Sequence, residues 1–179
     1  MAGQETCILD KAWIRRAVRR IALEVIERNK CAEGLAVVGL EPRGVALAQR
    51  LVAEINKAEG CDVPFGTLDI SLYRDDLDER PIQTVTRGTE ITFDVNGKCV
   101  ILVDDVLYTG RTIRAAMDQL MDLGRPDSIR LAVLIDRGNR ELPIAADYVG
   151  KTIETVGSDR IEVRLAETHK TDEVVFIRQ

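Results

Sequence analysis

Val100-Ile101-Leu102-Val103-Asp104-Asp105-Val106-Leu107-Tyr108-Thr109-Gly110-Arg111-Thr112 is the stretch on which the reading of this chain turns. The apolar run Val100 to Val103 predicts a parallel strand buried on both faces, because helices covering both sides of such a sheet leave no wet face for polar alternation. Two carboxylates, Asp104 and Asp105, stand at its carboxyl end. Tyr108 to Thr112 form a small loop with two hydroxyl-bearing threonines, and the spacing of Ile113, Ala116, Met117 and Leu120 predicts a helix that starts there.

Each part has a physical job if the ligand is a sugar phosphate. Threonine hydroxyls, free backbone N–H groups and the positive end of a helix dipole suit a phosphate dianion. The carboxylates are suited to ribose hydroxyls or to a hydrated Mg²⁺, which takes oxygen ligands. Ligands of open α/β sheets gather beyond the carboxyl ends of the strands, where this loop should lie. The same residues also fit a buried strand, an acidic turn and a capped helix in some other nucleotide-binding protein.

The chain has 179 residues, enough for one domain with a substantial core. With 25 basic and 30 acidic residues its net charge is −5, which argues against a general nucleic-acid binder but averages out any local basic face. No apolar run approaches the roughly 18 residues that span a bilayer, and MAGQETCILDK lacks the apolar core of a signal peptide, so a cytoplasmic protein without membrane contact is expected. Cys7, Cys31, Cys61 and Cys99 are widely spaced and His169 is the single histidine, so reduced thiols are expected and a zinc site is not. The Walker pattern and the dinucleotide glycine fingerprint are both absent.

Asp10 is a candidate N-cap for a helix with Trp13, Ile14, Ala17, Val18, Ile21, Ala22, Val25 and Ile26 inward. Its other face carries Arg15, Arg16, Arg19 and Arg20, with Arg28 and Lys30 beyond; it reads either as a solvated face or as a surface that tracks RNA phosphates. Leu35 to Leu40 predicts a second buried strand, followed by the turn Glu41-Pro42-Arg43-Gly44 and a helix with Leu47, Ala48, Leu51, Val52 and Ile55 inward. Phe65 to Tyr73 alternates like a strand with one wetter face, and the charged stretch from Arg74 to Glu90 is either an exposed excursion or a functional loop. Asn96-Gly97 marks a turn, Gly124 a C′ glycine that ends the helix after Thr112, and Ile129 to Ile135 another strand. Asp136-Arg137-Gly138 fits ordinary turn chemistry. Short strands close the chain near Ile161–Leu165 and Val174–Ile177, with His169 in a polar turn between them.

Val100 to Thr112 resembles the phosphoribosyl diphosphate (PRPP) motif of type I phosphoribosyltransferases. Together with LDISLYRDDL and DRGNRELP, it resembles the family of bifunctional pyrimidine-operon attenuation regulators and uracil phosphoribosyltransferases over nearly the whole chain. The resemblance implies an α/β fold, a mainly parallel sheet flanked by helices, as a single domain over 1–179 with a flexible loop and a small hood at about 136–151 plus the terminal strands. It implies that uracil and PRPP give UMP and diphosphate with Mg²⁺, that Asp104, Asp105 and Arg43 are catalytic, and that the metal is held through water or substrate near Asp104 and Asp105. Val100 to Thr112 would bind PRPP or UMP; Glu41, Pro42, Arg43 and Gly44 would form the pyrophosphate loop. That loop holds a cis peptide in the family, and Glu41–Pro42 is its expected place, since proline lowers the cost to about 0.5–1 kcal/mol. Arg74, Asp75 and Arg87 fall in the flexible loop, and Asp136, Arg137 and Val149 in the base hood.

The resemblance also implies binding to pyrimidine-operon leader RNA under control of UMP and UTP, no DNA partner, and a homo-oligomer with the first helix as a candidate interface. Arg15, Arg16, Arg19, Arg28, Arg140 and Lys151 are the RNA candidates. Pro42, Asn139 and Ala145 stand where relatives commonly carry Thr, His and Arg, and losing an arginine removes a phosphate partner. A transferase without RNA binding, or one acting on another base, is the alternative.

Overall fold

A computed structural model describes residues 4–29, 33–70, 88–156 and 159–178. In chain order it contains β1 (Gln4–Asp10), α1 (Lys11–Asn29), β2 (Leu35–Leu40), α2 (Gly44–Glu59), β3 (Phe65–Leu68), β4 (Cys99–Leu107), α3 (Arg111–Leu123), β5 (Ser128–Asp136), β6 (Tyr148–Thr152), β7 (Arg160–Arg164), α4 (Ala166–His169) and β8 (Glu173–Arg178). Five strands form a parallel sheet in the order β3-β2-β4-β5-β6, and β1-β8-β7 form a separate antiparallel sheet. No helix among the described residues is long and apolar enough to cross a membrane.

The central strand shows why the sheet is buried on both sides. Ile101 and Val103 join the core under α1 and α2, while Val100 and Leu102 join the core under α3. A strand whose successive side chains point to opposite faces needs apolar residues at every position here. α1 follows its expected period: Ile14, Ala17, Val18, Ile21, Ala22 and Val25 are buried, and the Asp10 carboxylate accepts the Trp13 N–H at 2.8 Å. Gly97 has φ 69° in the turn that leads into β4.

Several boundaries differ from the sequence reading. β4 does not stop at Val103. It runs through the acidic pair to Leu107, because Asp104, Val106 and Leu107 stay in register with Val133, Ile135 and Asp136 of β5. β3 ends at Leu68, short of the predicted Tyr73, and 71–73 lie outside the described residues. Gly124 does end α3, but in extended rather than left-handed backbone; a Cβ there would lie 2.6 Å from Val95 Cγ2, so the need is for close approach. Residues 148–151, expected in the hood, pair with β5 as β6 of the main sheet. β1 has no counterpart in the sequence reading; its partner β8 lies at the opposite end of the chain.

The strand order places a topological switch between β2 and β4. The chain leaves β2 through α2 toward one edge of the sheet and leaves β4 through α3 toward the other. A crevice opens at such a point beyond the carboxyl ends of the strands. The loops that emerge there are 41–43 and 108–110.

Candidate functional site

The turn 41–44 meets β4 at the switch point. Gly44 packs directly on the middle of β4: a Cβ added to it would lie 2.3 Å from the Val103 carbonyl oxygen and 3.1 Å from Asp104 Cα. The Glu41–Pro42 bond is cis, and the Glu41 N–H donates to the Leu68 carbonyl at 3.0 Å, tying the turn to β3. Arg43 then reaches across, its Nη1 3.7 Å from Asp105 Oδ2.

The acidic pair is organised by its own backbone. The Asp105 N–H donates to Asp104 Oδ1 and the Val106 N–H to Asp105 Oδ1, both at 2.9 Å. Burial pushes the Asp105 carboxyl up from its ordinary range, against the pull of the Arg43 guanidinium and of the hydrogen bonds it accepts. Its side chain is 13% exposed, so it faces the crevice from a low-dielectric wall.

Beyond β4 the chain turns through Tyr108, Thr109 and Gly110. Gly110 has φ 92°, a left-handed conformation that favours glycine, and it opens α3 as its N-cap. Thr109 Oγ1 accepts the Arg111 N–H at 3.3 Å. The first turn of α3 carries no acidic residue, and helix N-terminal amides have no intrahelical acceptor, so this end attracts an anion. Thr109, Gly110, Arg111 and Thr112 are thus brought together around one helix start.

Residues after β5 brace that loop from above. The Glu141 and Leu142 N–H groups both donate to the Thr109 carbonyl, at 3.0 and 3.1 Å, and Arg111 Nε donates to Glu141 Oε2 at 2.6 Å. Arg140 donates to the carbonyls of Tyr108 (2.8 Å), Gly138 (3.0 Å) and Ile144 (2.9 Å), and to Asp136 Oδ2 (2.6 Å). The expected hood residue Arg137 stacks 3.9 Å over the Tyr108 ring and donates to Thr155 Oγ1 and the Asp159 carbonyl. Asp136 lies at the end of β5, whereas Val149 sits in β6, its carbonyl accepting from Arg20.

The RNA candidates divide. Arg15, Arg16 and Arg19 are exposed along α1, and Lys151 is exposed on β6. Arg28 instead donates to the Asp147 carbonyl at 2.9 Å and lies 5.1 Å from the Tyr148 ring centre, and Arg140 braces the loop at 108–110. Asn139, at φ 55°, donates to the Thr155 carbonyl. Arg74, Asp75 and Arg87 lie outside the described residues. Cys7, Cys61 and Cys99 are free thiols, and among the described residues no group of three or more His, Cys, Asp or Glu side chains could hold a metal. The Arg140 brace, the Arg137–Tyr108 stack and Glu162, which accepts from Arg43 at 3.2 Å, carried no local sequence signal.

The phosphoribosyl transferase domain model matches residues 6–168. Curated relatives named Bifunctional protein PyrR include those of Listeria monocytogenes serotype 4a, 55% identical with 98% of each chain covered, and of Deinococcus deserti, 56% identical with 97% of this chain and 95% of the relative covered. Among solved structures, the hypoxanthine phosphoribosyltransferase of Trypanosoma cruzi superposes with a TM-score of 0.74 at 17% identity, covering 97% of this chain and 96% of that one. A hypoxanthine-guanine phosphoribosyltransferase of Bacillus anthracis gives 0.69 at 18% identity, with all of both chains covered. At these identities the likeness shows the fold.

Proposed function

The chain belongs to the phosphoribosyl transferase domain family and to its bifunctional PyrR group, and from that premise we propose that it converts uracil and PRPP to UMP and diphosphate and regulates pyrimidine-operon transcription by binding leader RNA. The single observation that carries the enzyme reading is the meeting of Arg43 and Asp105 at the switch point, 3.7 Å apart, with Asp105 on the strand that leads through 108–110 into α3.

In the reaction the bond from the anomeric carbon to the diphosphate oxygen breaks, a bond from that carbon to the uracil nitrogen forms, and the proton of that nitrogen is released. Positive charge develops on the sugar ring, as in glycoside cleavage. Thr109, Gly110, Arg111 and Thr112 anchor the 5′-phosphate at the helix start. Asp104 and Asp105 hold the ribose hydroxyls, and their negative charge faces the ring where positive charge grows. Arg43, on the pyrophosphate loop 41–44, holds the departing diphosphate. Arg137 and Asp136 border the base. Catalysis is then positioning and electrostatics, with no side chain acting as nucleophile.

Paired carboxylates suit Mg²⁺, which keeps waters and substrate phosphate oxygens among its ligands. Asp104 and Asp105 would hold it through water or substrate, and it would neutralise charge on the diphosphate.

For RNA the exposed Arg15, Arg16 and Arg19 on α1, with Lys151, offer cations to phosphates, and UMP or UTP in the nucleotide site controls that affinity. The brace from Tyr108 and Thr109 to Arg140, Glu141 and Leu142 connects the nucleotide loop with the segment that holds Asn139 and Ala145. The protein works in the cytoplasm as a homo-oligomer. Formation of UMP from uracil and PRPP tests the enzyme; filter binding of leader RNA with and without UMP, at two salt concentrations, tests the regulator. Absence of UMP formation, or RNA affinity indifferent to UMP, overturns the corresponding half.

A further inference from the structure

Arg43 faces two carboxylates. Besides Asp105, it meets Glu162 of β7, whose Oε1 accepts from Nη2 at 3.2 Å across 119 residues of sequence. Glu162 is itself held: its Oε2 accepts from Arg164 Nη2 at 3.2 Å. Arg164 also pairs with Glu5 of β1 at 3.0 Å and Glu173 of β8 at 3.4 Å, and His169 Nε2 lies 3.8 Å from Glu162 Oε1. A line of alternating charge therefore runs from the acidic pair, through Arg43, into all three strands of the terminal sheet.

We propose that Glu162 is a positioning residue for the transferase reaction, fixing the Arg43 guanidinium beside Asp105 so that the diphosphate half of the site is formed before substrate arrives. This rests on the reading of Arg43 as the diphosphate-holding residue. An arginine on a surface turn gives up rotamer freedom when a ligand captures it, and a carboxylate that orders it beforehand moves that loss into folding. Glu162 is suited to this because its own geometry is fixed by Arg164. Its negative charge, next to an anionic leaving group, would by itself repel the diphosphate. Arg164, shared with Glu5 and Glu173, offsets only part of that charge, so the ordering of Arg43 has to outweigh the rest.

The test compares E162Q, E162L, R43Q and the E162L/R43Q double variant in the full chain. It measures KM for PRPP, KM for diphosphate in the reverse reaction, kcat, and UMP affinity by calorimetry. E162Q keeps an acceptor and should raise both KM values about threefold; E162L should raise them about tenfold, the scale of one charged hydrogen bond. UMP, which lacks the diphosphate, should bind E162Q and E162L within about twofold of the parent, and E162L should add nothing to the PRPP and diphosphate KM values in the R43Q background. A structural role alone would not spare UMP while weakening PRPP and diphosphate. An unchanged or lowered PRPP KM in E162L, with R43Q raised, overturns the role of Glu162 alone. An unchanged PRPP KM in R43Q removes the Arg43 assignment, and the proposal with it. An equal loss of UMP affinity in E162L also overturns it.

Discussion

Replacing Gly44 by alanine should push the turn 41–44 away from β4. The new methyl would lie 2.3 Å from the Val103 carbonyl oxygen, with Val103 C and Asp104 Cα at 3.1 Å. All three are backbone atoms of β4, and Val103 is locked in register with Gly39 of β2 and Ala132 of β5, so the strand will not give. The start of α2 has to retreat instead, by about 0.7 Å to reach the 3.0 Å that Cβ atoms essentially never undercut. Overpacking of this kind costs about 1–3 kcal/mol, and the helix preference of alanine over glycine returns at most about 1 kcal/mol. Full return of that preference leaves a deficit of up to about 2 kcal/mol; for a chain of this size about 2–4 °C of Tm accompanies each kcal/mol, so a fall of up to about 8 °C is expected. A misplacement approaching 1 Å costs up to about 10²-fold in rate, so kcat/KM for PRPP should fall by about 10- to 100-fold. Thermal melts and a UMP-formation assay on G44A read both. G60A is the control: with φ 64° and nothing within 4 Å of its Cβ, it should lose some stability through backbone strain and keep its activity. If G44A melts at or above the parent temperature with unchanged kcat/KM, the packing argument is wrong.

Asp105→Asn should lower turnover by about 10²-fold or more, the scale of removing one electrostatic stabiliser, while the circular-dichroism spectrum stays that of the parent; unaltered turnover would remove the assigned role. Arg50 pairs with Glu167 at 2.6 Å and Asp172 at 2.7 Å, docking the terminal turn onto α2. Hydrogen bonding to Arg50 lowers the Glu167 carboxyl; for Asp172, burial pushes up but the bonds from Arg50 and the Ala166 amide prevail, so both lie below their ordinary values of 4.5 and 3.8. Groups with depressed folded pKa values stabilise above the unfolded pKa and lose that contribution as pH falls through the folded one. Urea denaturation of Arg50→Met should therefore show a deficit of about 1–3 kcal/mol at pH 7 that shrinks below about pH 4, and a deficit independent of pH would contradict the pairing. Joint replacement of Arg15, Arg16 and Arg19 by alanine should weaken leader-RNA binding and flatten its salt dependence by about one unit of slope for each RNA phosphate left without a cation, sparing UMP formation. An unaltered slope would take α1 off the RNA surface.

The parts of this fold that sequence exposes are those decided by neighbours a few residues apart. α1, α2 and α3 follow the apolar period, and β2 and the Leu131–Ile135 part of β5 follow apolar runs. Asp104 and Asp105 look like a strand terminus because carboxylates seldom continue a buried strand. Val106 and Leu107 carry the ladder past them, which only the register with β5 reveals. β1 lacks a clean alternation, and it is made a strand by β8, which the chain reaches more than 160 residues later. The helix-start cradle at 109–112 is legible because loop and helix adjoin in sequence. The contact of Arg43 with Glu162 is not, since the terminal sheet brings together residues that no spacing rule connects. Arg140 shows a second limit: as a sequence letter it reads as a phosphate-binding cation, and its hydrogen bonds to Asp136 and to three carbonyls of the site's own loops are visible only in the fold.

A crystal structure at saturating UMP examines the account at its centre. The 5′-phosphate should sit on the amides and hydroxyls of Thr109 to Thr112, with the ribose hydroxyls against Asp104 and Asp105. Nucleotide density located elsewhere, with that helix start bare, would contradict it.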